Sequence, residues 1–482
     1  MKTKLKFIFS LLLITNFYNL QAIELPKVIT DNMVLQRGKK VVIWGNAEPN
    51  ESISVSFKKQ NKKTKANAEG KWSLSLDPLE ASATPAVMEI KGDKDKITLQ
   101  NILVGEVWLA SGQSNMEYSL NKNKQNYAKP KKGNPNYLKD AFRAKQDPRL
   151  RLLYVNKDLK SKTLPSDGWH IADSIGLSPT SAAAYFFAKK LMQELNVPVG
   201  IITSAWGGTP IENWTPKQAY ASNSLFSDKI SDGKLDNQQI GMRFEAMIHP
   251  IAPFALAGFL WYQGEANLIN GDTGIYADKQ KALIDGWRAT WKENNLPFYF
   301  VQLAPYNYSR RTKDLIMHSR EDLAVFWEAQ TKVMKNVANT GMVVTTDLVD
   351  SSSDIHPSYK WIVGERLAGW ALAKQYGKKK VVYSGPVFKK MTIKDDKAIL
   401  EFDSVGSGLK TTANDGLLSW FQIGSGDGSF ENAKAVIVDN KVIVTSEKIK
   451  KPVEVRFAWD EEAMPNLFNI EGLPALPFRT KQ

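Results

Sequence analysis

Residues 106–116 read EVWLASGQSNM. Val107 to Ala110 form a short apolar run, Gly112 permits a sharp turn, and Ser114 follows at once. A run of that length with no polar alternation suits a strand buried on both faces of a sheet. Four more runs have the same form: VGIITS (199–204), AGFLWYQ (257–263), FYFVQLA (298–304) and GMVVTT (341–346). Helical periods lie between them. Ala184, Phe187, Ala188, Leu191 and Leu195 recur at spacings of three and four, as do Val363, Leu367, Trp370 and Ala371, with Gly377 a candidate stop. Strands alternating with helices predict an α/β domain with a mainly parallel sheet covered on both faces. In such sheets ligands gather beyond the carboxyl ends of the strands, so the residues after each run are where chemistry is sought.

Outward from this core the pattern changes on both sides. KKVVIWGNA, SISVSF, GKWSLSL and AVMEIKG, between about 24 and 104, are short Val-, Ile-, Trp- and Phe-rich runs separated by turn residues. They predict a small antiparallel β domain. From about 385 β signals return in KKMTIKDDKAILEFD, LSWFQIG, KAVIVDNKVIVTS and PVEVRFAW, with a hairpin expected at Asp439-Asn440. Residues 119–149 and 216–240 have weak periodicity and read as long loops or insertions near the cleft. No internal repeat is evident. The expected division is a leader at 1–22, an N-terminal β domain at 23–104, the α/β domain at 105–380, and a C-terminal β-sandwich-like domain at 381–482.

Composition bounds the function. The 482 residues are 43% apolar and 24% charged, enough to bury a large core, and carry a formal net charge of +14. No dense Lys/Arg block with interleaved aromatics is present, so the positive charge reads as lysines scattered over solvated faces and not as a nucleic-acid surface. Lys2, Lys4 and Lys6 precede the apolar stretch Phe7–Ile14, with small Ala22 beyond, the order of a secretory leader. The expected location is therefore secreted or periplasmic. That stretch is too short to span a bilayer, and no later one is apolar enough. The chain has no cysteine. That removes disulfides, a cysteine nucleophile and thiolate metal sites.

Ser114 is a nucleophile candidate, because a serine just past a strand, after a glycine, can present its hydroxyl at the sheet edge. The second glycine of the α/β-hydrolase elbow is missing. A serine hydroxyl needs an adjacent base, and there are four histidines. His318 sits among charged residues and is expected on the surface; His170 and His249 lie beside apolar residues and are expected to be structural. His356 follows the 341–346 run in DSSSDIHPSYK, at the correct sheet edge, with Asp354 two residues earlier to orient it. Donors for an oxyanion are offered by Gly207-Gly208 after VGIITS, and by Gln263 and Asn267 in QGEAN.

Taken together, GQSNM (112–116), WGGTPIENW (206–214), WYQGEAN (261–267) and DIHP (354–357) resemble, in this order, the blocks of the sialate O-acetylesterase-like branch of the SGNH hydrolases. AYFFAKKL before VPVGII and GERLAGWALAKQYG after the histidine extend the likeness over roughly 100–380. The resemblance implies a flavodoxin-like core and hydrolysis of acetyl esters on sugars without metal or cofactor. It implies Ser114 as nucleophile and His356 as base. The oxyanion donors it implies are the Ser114 N–H, Gly207 or Gly208, and Gln263 or Asn267. The general pattern has Asp three residues before the histidine. Here Ser353 stands there, so Asp354 and Glu265 both remain candidates to orient His356. Two further departures touch the pocket: RFEAMIHP (243–250) where relatives read YNGMI, and Trp327 where an arginine is common.

The expected partner is thus an acetylated carbohydrate, with no nucleic acid and no membrane span. Sialic acid is the first reading and acetylxylan or another polysaccharide the second. A non-catalytic carbohydrate-binding protein is the rival from another class. Of Trp108, Trp206, Trp214 and Trp261, most are expected in the core and one or two against a sugar ring.

Overall fold

The computed structural model describes residues 22–121, 129–312 and 316–481. The expected leader therefore lies, but for Ala22, outside the described residues. No helix among those described is long and apolar enough to cross a membrane.

The centre is a sheet in the spatial order Thr340–Val343, Phe298–Val301, Gly258–Tyr262, Lys96–Gly112, Val199–Ala205, Leu150–Tyr154, Trp169–Ile171. Every pairing along it is parallel except the last. Its central strands are buried on both faces along the sheet, as their unbroken apolar runs require. Trp108, Ala110, Leu260 and Tyr262 point into one core with the helix Ala182–Leu195 and the helix Lys360–Trp370. Val107, Leu109, Phe259 and Trp261 point into the other with the helix Tyr276–Trp291 and the helix Asp322–Asn336. Ser181 caps the first of these helices, its hydroxyl accepting from the Ala184 N–H. The fold class is α/β, with this parallel core flanked by β structure at both ends.

The chain leaves the 96–112 strand toward one edge and later returns to build the other. This strand is thus the switch point of the sheet, where a crevice opens past the carboxyl ends. Ser114 lies two residues beyond it.

The N-terminal flank corrects one expectation. The N-terminal sheet is antiparallel except that Val34–Gln36 pairs in parallel with 103–105. The strand that closes it, Lys96–Gly112, runs on without interruption as the central strand of the α/β core. The boundary expected at 104/105 thus falls inside one strand, where a change of composition reflects a change of neighbours and not a linker. Buried Glu106 seals the junction by accepting from Gln36 (2.9 Å) and pairing with Arg37. The segment 216–240, expected as a loop or insertion, carries the helix Lys217–Ala221, the hairpin of Lys234–Leu235 with Gln238–Gln239, and a small core of Tyr220, Phe226, Leu235 and Ile240. Within 119–149, Tyr137–Arg143 is helical.

At the C-terminal end a five-stranded and a four-stranded antiparallel sheet face each other. Phe402 and Phe388 of one meet Phe478 of the other at 5.8 and 4.5 Å between ring centroids. The hairpin turns at Asp439-Asn440, both at positive φ, as a two-residue loop of this type requires.

Candidate active site

Gly112 ends the central strand at φ +139°, and a Cβ there would lie 2.1 Å from the Tyr262 carbonyl oxygen. Only glycine fits this close approach of two strands. The turn it makes is fixed by three hydrogen bonds. Gln113 N–H donates to the Tyr262 carbonyl (3.0 Å), and its side-chain oxygen accepts from the N–H groups of Gly264 and Ala266. Ser114 then opens a four-residue helix and is partly exposed. Its Oγ lies 2.9 Å from Nε2 of His356, 242 residues away in sequence. That is the distance a general base needs to take a hydroxyl proton.

The other histidines sort differently from expectation. His318, expected on the surface, has a buried side chain beside Asp322 at 3.3 Å. A charged sequence neighbourhood does not make a helix-flanking residue exposed when its ring packs inward, here near Tyr308. His249, expected to be structural, is exposed and pairs with Glu245 at 3.0 Å. His170 is partly exposed on the edge strand.

The two acids proposed to orient His356 act in different places. Asp354 Oδ1 accepts the backbone N–H of His356 at 2.8 Å, fixing the loop at the histidine itself. Glu265 is fully buried, and burial pushes its carboxyl pKa up. It accepts from Asn115 Nδ2 at 2.5 Å. The same Asn115 amide donates to the Ile355 carbonyl at 3.0 Å, while its oxygen accepts from Lys360 Nζ at 2.6 Å. Glu265 therefore reaches the histidine loop through Asn115. Asn115 and Lys360 were missed in the sequence; Asn115 stands in the GQSNM block beside the serine, which was the available signal.

The expected side-chain oxyanion donors lie elsewhere than the site face. Gln263 is fully buried, and both N–H groups of its amide are engaged, with the Thr209 carbonyl (3.1 Å) and Asn267 Oδ1 (2.7 Å). Asn267 is equally buried. Its amide donates to Glu212 and Asp272, and its oxygen accepts the Ile211 N–H. An amide has two N–H groups, so neither side chain has one left for a substrate. Together they anchor the 207–211 loop to the buried ammonium of Lys279, which lies 2.6 Å from Glu212, 2.7 Å from Asp236 and 2.6 Å from Asp272. Burial works against that charge, but the carboxylates more than offset it and hold its pKa above the ordinary lysine value.

Of the glycine pair, Gly207 lies beside Ser114: a Cβ on it would come within 3.2 Å of Ser114 Cβ. Its N–H, however, donates to Glu117 Oε2 at 2.6 Å, and Glu117 in turn pairs with Lys157 at 2.6 Å. Gly208 is exposed, at φ +73°, with nothing near its absent Cβ. Among the tryptophans, Trp108, Trp214 and Trp261 are buried, and Trp206 alone is partly exposed. Trp327 is also core, its indole N–H donating to the Leu303 carbonyl at 2.7 Å.

Residues 104–376, more than half of the chain, match the model of the family described as "Carbohydrate esterase, sialic acid-specific acetylesterase". The chain belongs to that family. Among curated relatives, this family member is 29% identical to human sialate O-acetylesterase over 419 residues, 77% of this chain and 75% of that protein. It is 28% identical to the rat sialate O-acetylesterase over 440 residues, 76% of each. The crystal structure of a carbohydrate acetylesterase from Xanthomonas citri superposes on 96% of this esterase and 100% of its own chain, with a TM-score of 0.83 and 34% identity. The fold class expected from the sequence, an SGNH-type core between β-rich ends, is thereby met.

Proposed function

We propose that this carbohydrate esterase removes O-acetyl groups from sialic acids by a serine acyl-enzyme mechanism. The observation that carries the reading is the 2.9 Å contact between Ser114 Oγ and His356 Nε2 at the switch point of the sheet. In the first step His356 takes the hydroxyl proton as Ser114 Oγ attacks the acetyl carbonyl carbon. The resulting imidazolium gives its proton to the sugar oxygen as the C–O bond breaks. Water then attacks the acetyl-serine with the same histidine as base, and acetate leaves. Asp354 keeps His356 in place through its backbone N–H, and Glu265 does so at one remove through Asn115. With Gly207 engaged by Glu117 and both side-chain amides engaged below, the oxyanion donors assigned are the backbone N–H groups of Ser114 and Gly208.

Export to a periplasm or to the medium fits the leader-like residues 1–22, and the β-rich flanks are read as units on either side of the esterase, the C-terminal one at 381–482 and the N-terminal one sharing the strand Lys96–Gly112 with the esterase core. A neutral polysaccharide such as acetylxylan is the second reading, since the Xanthomonas citri relative is described as a carbohydrate acetylesterase without a named sugar. Acetate release from O-acetylated sialic acid and from acetylated xylan separates the two. Ser114→Ala should lower kcat by ~10⁴-fold or more on the preferred one. Release that persists in Ser114→Ala overturns the serine mechanism.

A further inference from the structure

Trp206, the part-exposed residue next to Gly207, has two cations within reach of its ring. The guanidinium carbon of Arg243 is 4.6 Å from its ring centroid and Lys157 Nζ is 5.9 Å away. Lys157 is paired with Glu117. Arg243 has no carboxylate within ion-pair distance among the described residues. Its one hydrogen bond there is to Asn213 Oδ1, and its Nε is buried without a partner. A guanidinium carries five N–H donors, so most of them are unmet. Burial alone moves its pKa, downward, with no nearby acid to offset it. A half-buried cation kept without a counter-charge costs stability, and here it lies over Trp206, whose chain neighbour Gly207 packs beside Ser114. Around Trp206 two cations meet one carboxylate, which leaves a local excess of one positive charge.

We infer that Arg243, backed by Trp206, is a carboxylate subsite that selects acetylated sugar acids over neutral acetylated sugars. The inference rests on the esterase reading above and assigns a residue to its specificity. The guanidinium's planar donors suit a carboxylate held at two points, and the indole behind it keeps the fork in one orientation. Lys157 cannot take this role while Glu117 holds it. Arg243 lies in the RFEAMIHP departure, so the sequence marks the position but not its target: Trp206 is 37 residues away in the chain.

The test compares an acid with its own neutral form. Rates of acetate release are measured for wild type, Arg243→Met and Arg243→Lys on O-acetylated N-acetylneuraminic acid and on its carboxyl methyl ester. Acetylated polygalacturonate and acetylated xylan form a second acidic and neutral pair. Wild type should prefer the free acid by on the order of tenfold or more in kcat/KM, chiefly through KM, as a charge-assisted hydrogen bond implies. The preference should vanish in Arg243→Met and survive in part in Arg243→Lys. Because it is a ratio within one protein sample, partial loss of folded enzyme cancels. A preference seen in the sialic pair or in the uronic pair says which sugar acid is bound. Equal rates on acid and neutral forms in wild type, or an undiminished preference in Arg243→Met, overturn the subsite. The esterase reading fails separately, by absence of Ser114-dependent release from every ester. Binding of unacetylated N-acetylneuraminate and its methyl ester to Ser114→Ala, by calorimetry, reads the subsite without turnover: tighter binding of the acid supports it and equal binding overturns it.

Discussion

On the Gly207 side of Ser114, the loop is held by a charged network: each amide N–H of Gln263 and Asn267 is engaged, and one ammonium, Lys279, meets three carboxylates. On the His356 side a neutral amide takes the central place. A single amide, Asn115, joins Glu265, the Ile355 carbonyl and Lys360, and Glu265 Oε2 is buried with no hydrogen-bond partner among the described residues. Such a charged cluster resists displacement because separating it leaves a charge unpaired in a medium of low dielectric constant. The first side thus fixes the loop that carries Gly207 and Gly208, and the second, together with Asp354, the loop that carries His356.

This contrast is sharpest at Lys279. Lys279→Met strands Glu212, Asp272 and Asp236 without their cation, and should lower the unfolding free energy by about 3–5 kcal/mol, read from the urea midpoint at pH 7. A loss under about 1 kcal/mol would break the claim that this side is the scaffold. Next in size is Asn115→Leu, which should cost about 1–3 kcal/mol in stability. Its larger mark should be on kcat, a fall of up to ~10²-fold from misplacement of His356 with KM little changed. A fall in stability with kcat intact would make Asn115 purely structural. The smallest effect is the pH dependence of Glu265. Its pKa is raised by burial, so its contribution to stability is fully present below its unfolded pKa and is lost as pH rises through the folded value. Glu265→Gln should therefore gain on wild type in Tm as pH rises from about 4 toward neutrality, starting below the unfolded carboxyl pKa. Parallel Tm profiles would show that the carboxyl does not titrate against folding.

The sequence made the strands legible because burial on both faces leaves a local mark, four to six apolar residues in a row. It marked the turn at Gly112 because only glycine takes that backbone beside Tyr262. It also placed Ser114 and His356 at the correct sheet edge, since the ends of buried strands in an α/β fold lead to one crevice. It misread His318 and His249, because exposure depends on what packs against a residue and not on the polarity of its neighbours in the chain. It assigned Gln263 and Asn267 to the oxyanion because both follow a strand end.

What the chain determined by itself was thus the class of fold, the family blocks and the candidates for nucleophile and base, all fixed by local pattern and by order along the chain. Only the tertiary structure decided where each amide and carboxylate points: Glu117 onto Gly207, 90 residues away, Asn115 between Glu265 and the histidine loop, and Arg243 over Trp206. A hydrogen bond or a stacked cation is a matter of a few ångströms between atoms. Those distances are set by the packing of whole helices against the sheet, which no short stretch of sequence contains.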